Sequence, residues 1–165
     1  ELRSQGNSAG GIIECVVEGV PAGLGEPVFD KLDAELAKAV LSIGAVKGIE
    51  FGAGFAAADL TGSQNNDKMR SSGSSVQFET NNAGGTLGGM SNGNTIVFRA
   101  AVKPVPSIFQ TQKTVTAKDG KFENSDLLIE GRHDICICPR VVPVVEAMTA
   151  IVVADMMLRN RAAKM

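Results

Sequence analysis

The segment GIIECVVEGVPAGLGEPVFDKLDAELAKAVLSIGAVKGIEFG, residues 11–52, carries the pattern that decides the fold. Residues 11–20 alternate between apolar and charged side chains, which is typical of a half-buried strand. Glu26-Pro27 suits the first turn of a helix, because proline is tolerated there and an early carboxylate complements the helix dipole. One helical stripe is then apolar: Val28, Phe29, Leu32, Leu36, Val40 and Ile43. Residues 45–52 predict a second strand and complete a strand–helix–strand unit.

The middle of the chain has a different character. Residues 54–93 are rich in glycine, asparagine and serine without lasting periodicity, so we predict a long loop there, of the kind that is usually functional or disordered. Residues 95–103 alternate again, which puts Arg99 and Lys103 on one face of a strand. The other face is apolar: Ile96, Phe98, Ala100 and Val102.

The last third contains a predicted hairpin turn at Asp119-Gly120 and a final helix beginning at Pro143. Strands and helices mixed in this order predict an α+β fold, with a mostly antiparallel sheet packed against helices. The 165 residues suffice for one domain with a core and hardly for two, so residues 1–165 are predicted to form one domain.

Composition excludes several classes of function. The net charge of -2 and the absence of Trp and Tyr argue against a nucleic-acid-binding surface. The apolar stretch 141–158 is interrupted by Glu146 and Asp155, which favours a buried helix over a membrane span. The odd count of three cysteines, at low density, is typical of a reducing compartment, and we expect a cytoplasmic protein.

Two short segments have the composition of a functional site. The Arg-His-Asp segment (Gly131-Arg132-His133-Asp134) places a guanidinium, an imidazole and a carboxylate side by side after a predicted strand. Arginine suits bidentate contact with phosphate, although a solvated surface loop has the same composition more often. The Lys-Pro run (Lys103-Pro104-Val105-Pro106-Ser107) has a backbone fixed by two prolines, which would present its polar groups rigidly. A simple strand terminator explains this run equally well.

Weaker signals lie elsewhere. The Gly-rich loop, residues 82–89, would let backbone amides approach an anion or a planar ring, but it is no phosphate-binding P-loop because no Lys-Ser/Thr follows it. His133, Cys136 and Cys138 have the wrong spacing for a zinc finger or ribbon. We therefore predict no metal site and interpret the cysteines as structural thiols.

Taken in order, these segments resemble the C-terminal half of the chorismate synthases. The segments that carry the resemblance are residues 19–33, 45–48, 62–65, the Gly-rich loop, the Lys-Pro run, the Arg-His-Asp segment and residues 142–148. The resemblance implies one half of that family's β-α-β sandwich. One departure is Ile135, which stands where the family usually has proline.

The resemblance also implies a reaction and a set of site residues. Chorismate synthases are lyases of the shikimate pathway, associated with NADP, that convert 5-enolpyruvylshikimate 3-phosphate to chorismate by anti-1,4 elimination of phosphate with reduced FMN. Arg132 would contact both FMN and substrate, and Asp134 would transfer a proton near the flavin. The other positions implied to contact FMN are Gly44, Ala45, Gly88, Lys103, Pro104, Val105, Pro106 and Ser107.

The family's catalytic histidines lie in its N-terminal half, which has no counterpart here. We therefore expect this chain to be inert alone and to need that half as a partner, in an enzyme that is typically a homotetramer. Two other interpretations remain open: a non-catalytic module that binds a flavin, an anion or a partner subunit, and a small metal-binding domain around His133.

Overall fold

The computed structural model describes residues 1–164 and contains nine strands, three α-helices and a 3-10 helix at Gly54–Asp59. The strands are β1 (Gly11–Val17), β2 (Val46–Phe51), β3 (Met69–Ser72), β4 (Ser75–Phe78), β5 (Thr86–Leu87), β6 (Met90–Ser91), β7 (Ile96–Val102), β8 (Gln112–Lys118) and β9 (Lys121–Leu127). The α-helices are α1 (Leu32–Leu41), α2 (Gly62–Asn65) and α3 (Cys138–Ala162).

The central sheet has the strand order β1–β7–β2, and β7 is antiparallel to both neighbours. Its inner face is the apolar face that the alternation in residues 95–103 predicts. Ile96, Phe98 and Ala100 are fully buried, and the Phe98 ring lies 5.6 Å from that of Phe51.

Two helices cover this inner face. From α1, Leu32, Leu36 and Val40 are fully buried, because their spacing puts them on one side of the helix. Helix α3 packs against α1 and β1 and adds Val145 and Met156 to the same core. The result is a sheet layer and a helix layer around one core, which confirms the predicted α+β class.

Helix α1 begins at Leu32, so the prediction of a start at Glu26-Pro27 was wrong. The amide of Glu26 instead donates to the carbonyl of Asp30 at 2.9 Å, which closes a turn ahead of the helix. Val28 and Phe29 lie in this turn and are 68% and 88% exposed, so they do not belong to the buried stripe.

Helix α3 begins at Cys138 rather than at Pro143. Pro139 occupies the first turn, where the missing amide hydrogen costs nothing, and Pro143 lies inside the helix. The helix is buried along one face only, whereas the sequence predicted a buried helix. By length and composition it could cross a membrane, but it packs one face against β1 and α1 and leaves the opposite face, including Ile151 and Leu158, exposed.

The predicted loop at residues 54–93 contains short regular elements: the 3-10 helix, α2 and the hairpins β3–β4 and β5–β6. Short polar strands lack the length for a periodic pattern, which is why the sequence does not reveal them. The hairpin β8–β9 turns at Asp119 and Gly120, as predicted, and both residues have positive φ, 50° and 74°.

Candidate cofactor and substrate pocket

A cavity of about 500 Å³ lies where three segments distant in sequence meet. Its walls come from the N-terminal segment (Arg3 and residues 6–8), from residues 107–109 and from residues 131–136. This volume falls within the range of small-molecule sites. The Arg-His-Asp segment forms one side of this cavity.

Three of the predicted site residues line this cavity: Ser107, Arg132 and Asp134. The Arg132 guanidinium has no carboxylate partner within residues 1–164, so it is available to an anion. Asp134 pairs through Oδ2 with Arg140 Nη1 at 2.9 Å. Arg140 lies in the first turn of α3 and its side chain is 73% exposed, so solvent weakens this ion pair and it orients the carboxylate only loosely.

The rest of the Lys-Pro run, residues 103–106, lies outside the cavity lining and begins beside the predicted stretch Gly44-Ala45. The amide of Lys103 donates to the carbonyl of Ala45 at 2.9 Å. Ala45 has φ of 72°, a conformation that costs a residue with a side chain of order 1 kcal/mol. Such strain is concentrated at functional sites, and here it falls on a residue that the resemblance assigns to FMN.

Gly88 lies apart from these residues. The carbonyl of its neighbour Gly89 accepts the amide of Leu32 at 2.7 Å, so the β5–β6 turn sits at the N-terminal end of α1. Gly44 and Ala45 follow the C-terminal end of the same helix. A ligand that contacts both would extend along α1, whose ten residues span about 15 Å. Among the described residues that line the large cavity, neither Gly88 nor Gly44-Ala45 is present.

His133 is a polar group without a partner. Its Nε2 atom is buried and makes no hydrogen bond, and its ring lies 5.9 Å from that of Phe109. Native structures rarely leave a buried ring nitrogen unpaired, and such an atom calls for a ligand or water. The residue also lines the cavity, so the observation fits a pocket that holds a polar molecule.

Sequence reasoning missed the N-terminal wall. The Ser8 hydroxyl donates to the carbonyl of Val105 at 2.6 Å, and Arg3 adds a second guanidinium to the cavity lining. The only local signal is Gly6-Asn7-Ser8, a composition common in any turn.

Asp67 was also missed, although it holds the Gly-rich loop in place. Its Oδ1 accepts hydrogen bonds from Thr80 Oγ1 at 2.6 Å and from the amide of Asn82 at 2.7 Å, and its Oδ2 accepts the amide of Ala83 at 2.9 Å. Burial acts to raise the pKa of Asp67, but these hydrogen bonds to the carboxylate outweigh it and lower the pKa.

Two of the three cysteines, Cys15 and Cys138, have thiol pKa values raised above the usual range. Burial raises the pKa of Cys15, and burial together with the neighbouring Cys136 thiol raises the pKa of Cys138. Within residues 1–164, no three His, Cys, Asp or Glu side chains are arranged to hold one metal ion. His133, Cys136 and Cys138 therefore do not form a ligand set in this fold.

The fold and cavity together define a class: an α+β domain with a cavity formed by loops and lined by two arginines, Arg3 and Arg132. The family model for chorismate synthase matches residues 1–158. The chain therefore belongs to the chorismate synthase family and corresponds to its C-terminal half, as the resemblance predicts.

Relatives and a solved structure agree with this assignment. A chorismate synthase from Methanosarcina barkeri (strain Fusaro / DSM 804) is 59% identical over 159 residues, which cover 96% of this chain and 43% of that protein. One from Archaeoglobus fulgidus is 59% identical over 155 residues, covering 94% of this chain and 42% of that protein. A crystal structure of chorismate synthase superposes with a TM-score of 0.77 at 36% identity, covering 96% of this chain and 40% of that one. The chain thus spans less than half the length of the proteins it matches.

Proposed function

We propose that this chain supplies one half of a chorismate synthase, which converts 5-enolpyruvylshikimate 3-phosphate to chorismate and phosphate with reduced FMN. The observation that carries the proposal is the cavity in which Ser107, Arg132 and Asp134 meet, in a chain that matches the family over residues 1–158. We place the enzyme in the shikimate pathway and in the cytoplasm, as an NADP-associated homotetramer, by extension from the family resemblance.

The residues present fit an anionic flavin. The unpaired guanidinium of Arg132, the hydroxyl-bearing Ser107 at the end of the Lys-Pro run and the buried imidazole nitrogen of His133 line a cavity of suitable volume. The Lys-Pro run, Gly44-Ala45 and Arg132 would hold the cofactor, with Gly88 at the far end of α1. When bound, reduced FMN supplies the electron-rich ring that promotes loss of phosphate without net redox change.

The chain's own side chains have separate roles in this proposal. Arg132 binds negative charge on substrate and cofactor, since a guanidinium can make paired charge-assisted hydrogen bonds. Asp134, which lines the cavity, receives the substrate proton at a carboxylate oxygen. The proline-fixed backbone of the Lys-Pro run keeps the pocket wall in place and limits entry of water.

The exposed face of α3 supports the proposal that this chain associates with the other half of the enzyme. Its exposed apolar residues alternate at intervals of three and four positions, which is the spacing of a seam that packs against another helix: Val144, Ala147, Ile151, Ala154 and Leu158. The family's chain is more than twice as long as this one. We propose that the rest of that chain covers this face.

Complementation tests the proposal directly. The N-terminal part of the Methanosarcina barkeri relative, made separately, is mixed with this chain under anaerobic conditions with reduced FMN and substrate. We expect phosphate release from the mixture and none from either part alone. A covalent chimera, in which this chain replaces the matched stretch of that relative, removes failure of assembly as an explanation. A folded chimera without phosphate release would contradict the proposal.

A non-catalytic binding module is the second candidate, because the cavity has its anion-binding groups in place without the missing half. Titration of the chain alone with FMN separates the two functions. The enzyme-half proposal expects weak binding by the chain and much tighter binding by the chimera, since half of the pocket is absent. Tight binding by the chain, unchanged in an inactive chimera, would favour the module.

A further inference from the structure

Two segments that carry predicted site residues form walls of the cavity: residues 103–109, of which only 107–109 line the cavity, and residues 131–136. Within residues 1–164, no hydrogen bond joins residues 103–109 to residues 131–136. Their direct contact is the tilted pair of Phe109 and His133 rings. A ring pair of this kind contributes only modestly beyond its area burial, and Phe109 is 53% exposed, so this one contact determines the width of the cavity only in part.

Both walls are instead bonded to one short stretch, Gln5–Ala9, which we name the clasp. On the first wall, the clasp carbonyl of Gly6 accepts the amide of Phe109 at 2.9 Å, and the Ser8 hydroxyl donates to the carbonyl of Val105 at 2.6 Å. On the second wall, the amide of Ala9 donates to the carbonyl of Ile135 at 2.7 Å. Two consecutive residues, whose Cα atoms are about 3.8 Å apart, therefore connect the opposing walls.

The backbone of the clasp is specialised for this contact. Gly6 has φ of 63°, and a Cβ atom there would lie 2.8 Å from the carbonyl oxygen of Phe109. A side chain at this position would push the clasp away from the wall. Glycine is therefore required by both the conformation and the close approach.

Ser8 is the side chain on which the Lys-Pro run depends most. Pro104 and Pro106 have no amide hydrogen, so the centre of the run offers few groups for backbone pairing. The carbonyl of Val105 accepts a part-buried hydrogen bond from the Ser8 hydroxyl, and that of Pro106 accepts a solvent-exposed one from the Gln112 side chain at the longer distance of 3.2 Å. The Ser8 bond is shorter and better shielded from water.

We propose that Ser8 is a positioning residue, which sets the distance of the Lys-Pro run from the Arg-His-Asp segment and so the fit of the anionic cofactor. This inference rests on the proposed function. Ser8 sets this distance through the hydrogen bond that its hydroxyl donates to the backbone carbonyl of Val105. Loss of the hydroxyl would loosen one wall and leave the groups that contact the ligand chemically intact.

The test uses the chimera described above, with Ser8→Ala, Ser8→Thr and, as a matched control, Ser75→Ala. Ser75 Oγ also donates to a backbone carbonyl, that of Ser72 at 3.1 Å, but in the remote β3–β4 hairpin. We expect S8A to raise the FMN dissociation constant about 3- to 10-fold, the loss typical of one neutral hydrogen bond. S8T keeps a hydroxyl and should stay within about twofold of the parent, as should S75A.

The outcomes distinguish this inference from the proposed function. A chimera that neither binds FMN nor releases phosphate would overturn the proposed function. An active chimera in which S8A binds FMN like the parent would overturn only the role of Ser8. Equal losses in S8A and S8T would also overturn it, because they would indicate a general packing defect. If S8A does not fold, Ser8→Cys is tested instead, because its slightly larger thiol is a much weaker donor. We expect it to raise the FMN dissociation constant above that of the parent, and parent-like binding would contradict the role.

Discussion

Phe98 and Leu36 are fully buried in the core among other apolar side chains, whereas the walls of the cavity are joined by hydrogen bonds such as Ser8 to Val105, which are 97 residues apart in sequence. Burial of apolar area is non-directional, so many side-chain combinations can fill a core. Hydrogen bonds depend on the position of a few atoms. The core should therefore determine whether the chain folds, and the cavity contacts should determine whether it binds.

The largest expected effect is the loss of stability when a core side chain is removed. Phe98→Ala removes a ring that is fully buried against Phe51, and should lower the free energy of unfolding by about 3–5 kcal/mol. Phe29→Ala is the matched control, because Phe29 is 88% exposed and should change it by less than about 0.5 kcal/mol. Urea unfolding followed by circular dichroism measures both. Similar losses in the two variants would show that the turn at residues 26–30 is packed against another surface.

At the cavity, we expect a substitution to weaken ligand binding and to leave the stability of the fold unchanged. Arg132→Ala should raise the FMN dissociation constant of the chimera about tenfold or more, since hydrogen bonds to charged groups contribute about 1.5–3 kcal/mol. Its urea midpoint should stay unchanged, because the guanidinium has no carboxylate partner within residues 1–164. Arg70→Ala, in the β3–β4 hairpin, serves as the control for loss of one positive charge. Equal FMN binding by the two variants would remove Arg132 from the site.

Asp67 belongs neither to the core nor to the cavity; its carboxylate holds the Gly-rich loop, and its substitution measures the stability of that contact. Its pKa is lower in the folded chain than the usual value of about 4, so the carboxylate stabilises the fold above that value. This contribution is lost as the pH falls through the lower folded-state pKa. Asp67→Asn should therefore cost about 1 kcal/mol at pH 7, a value reduced for partial exposure, and almost nothing in strong acid.

Hydrogen exchange gives the local readout for this variant. The amides of Asn82 and Ala83 both donate to Asp67, so both should exchange faster in D67N at pH 7. Asp59→Asn, an exposed carboxylate near the same loop, is the control. Unchanged protection at residues 82 and 83 would mean that the Gly-rich loop is held by other contacts.

The difference between core packing and cavity hydrogen bonds explains which features the sequence could predict. The alternation in residues 95–103 predicted the buried face of β7, because burial on a strand repeats every second residue. The spacing of Leu32, Leu36 and Val40 did the same for α1. The start of α1 was misplaced, since Pro27 is suited to a helix start and nothing local reveals that Glu26 pairs with Asp30.

The site was less accessible to local reasoning. Local chemistry alone left the Lys-Pro run and the Arg-His-Asp segment ambiguous, and the family resemblance made them candidates. The cavity brings Ser107, Arg132 and Asp134 together, while the assigned roles stay predictions. The clasp was missed because a bond between Ser8 and Val105 leaves no periodic pattern in either segment. Contacts between loops that are distant in sequence can be recognised only once the fold is known.

The smallest expected effect concerns an exposed hairpin that belongs neither to the core nor to the cavity. In the β8–β9 hairpin, Lys113 Nζ lies 2.6 Å from Asp126 Oδ1, with the two side chains 88% and 55% exposed. A double-mutant cycle with Lys113→Ala and Asp126→Ala should give a coupling of about 0.5 kcal/mol or less in low salt, because solvent screens exposed pairs and ordering the side chains costs entropy. In about 1 M salt, where the screening length is about 3 Å, the coupling should approach zero. A coupling that persisted in high salt would mean that another part of the protein shields this pair, and the hairpin would then have to be counted with the core.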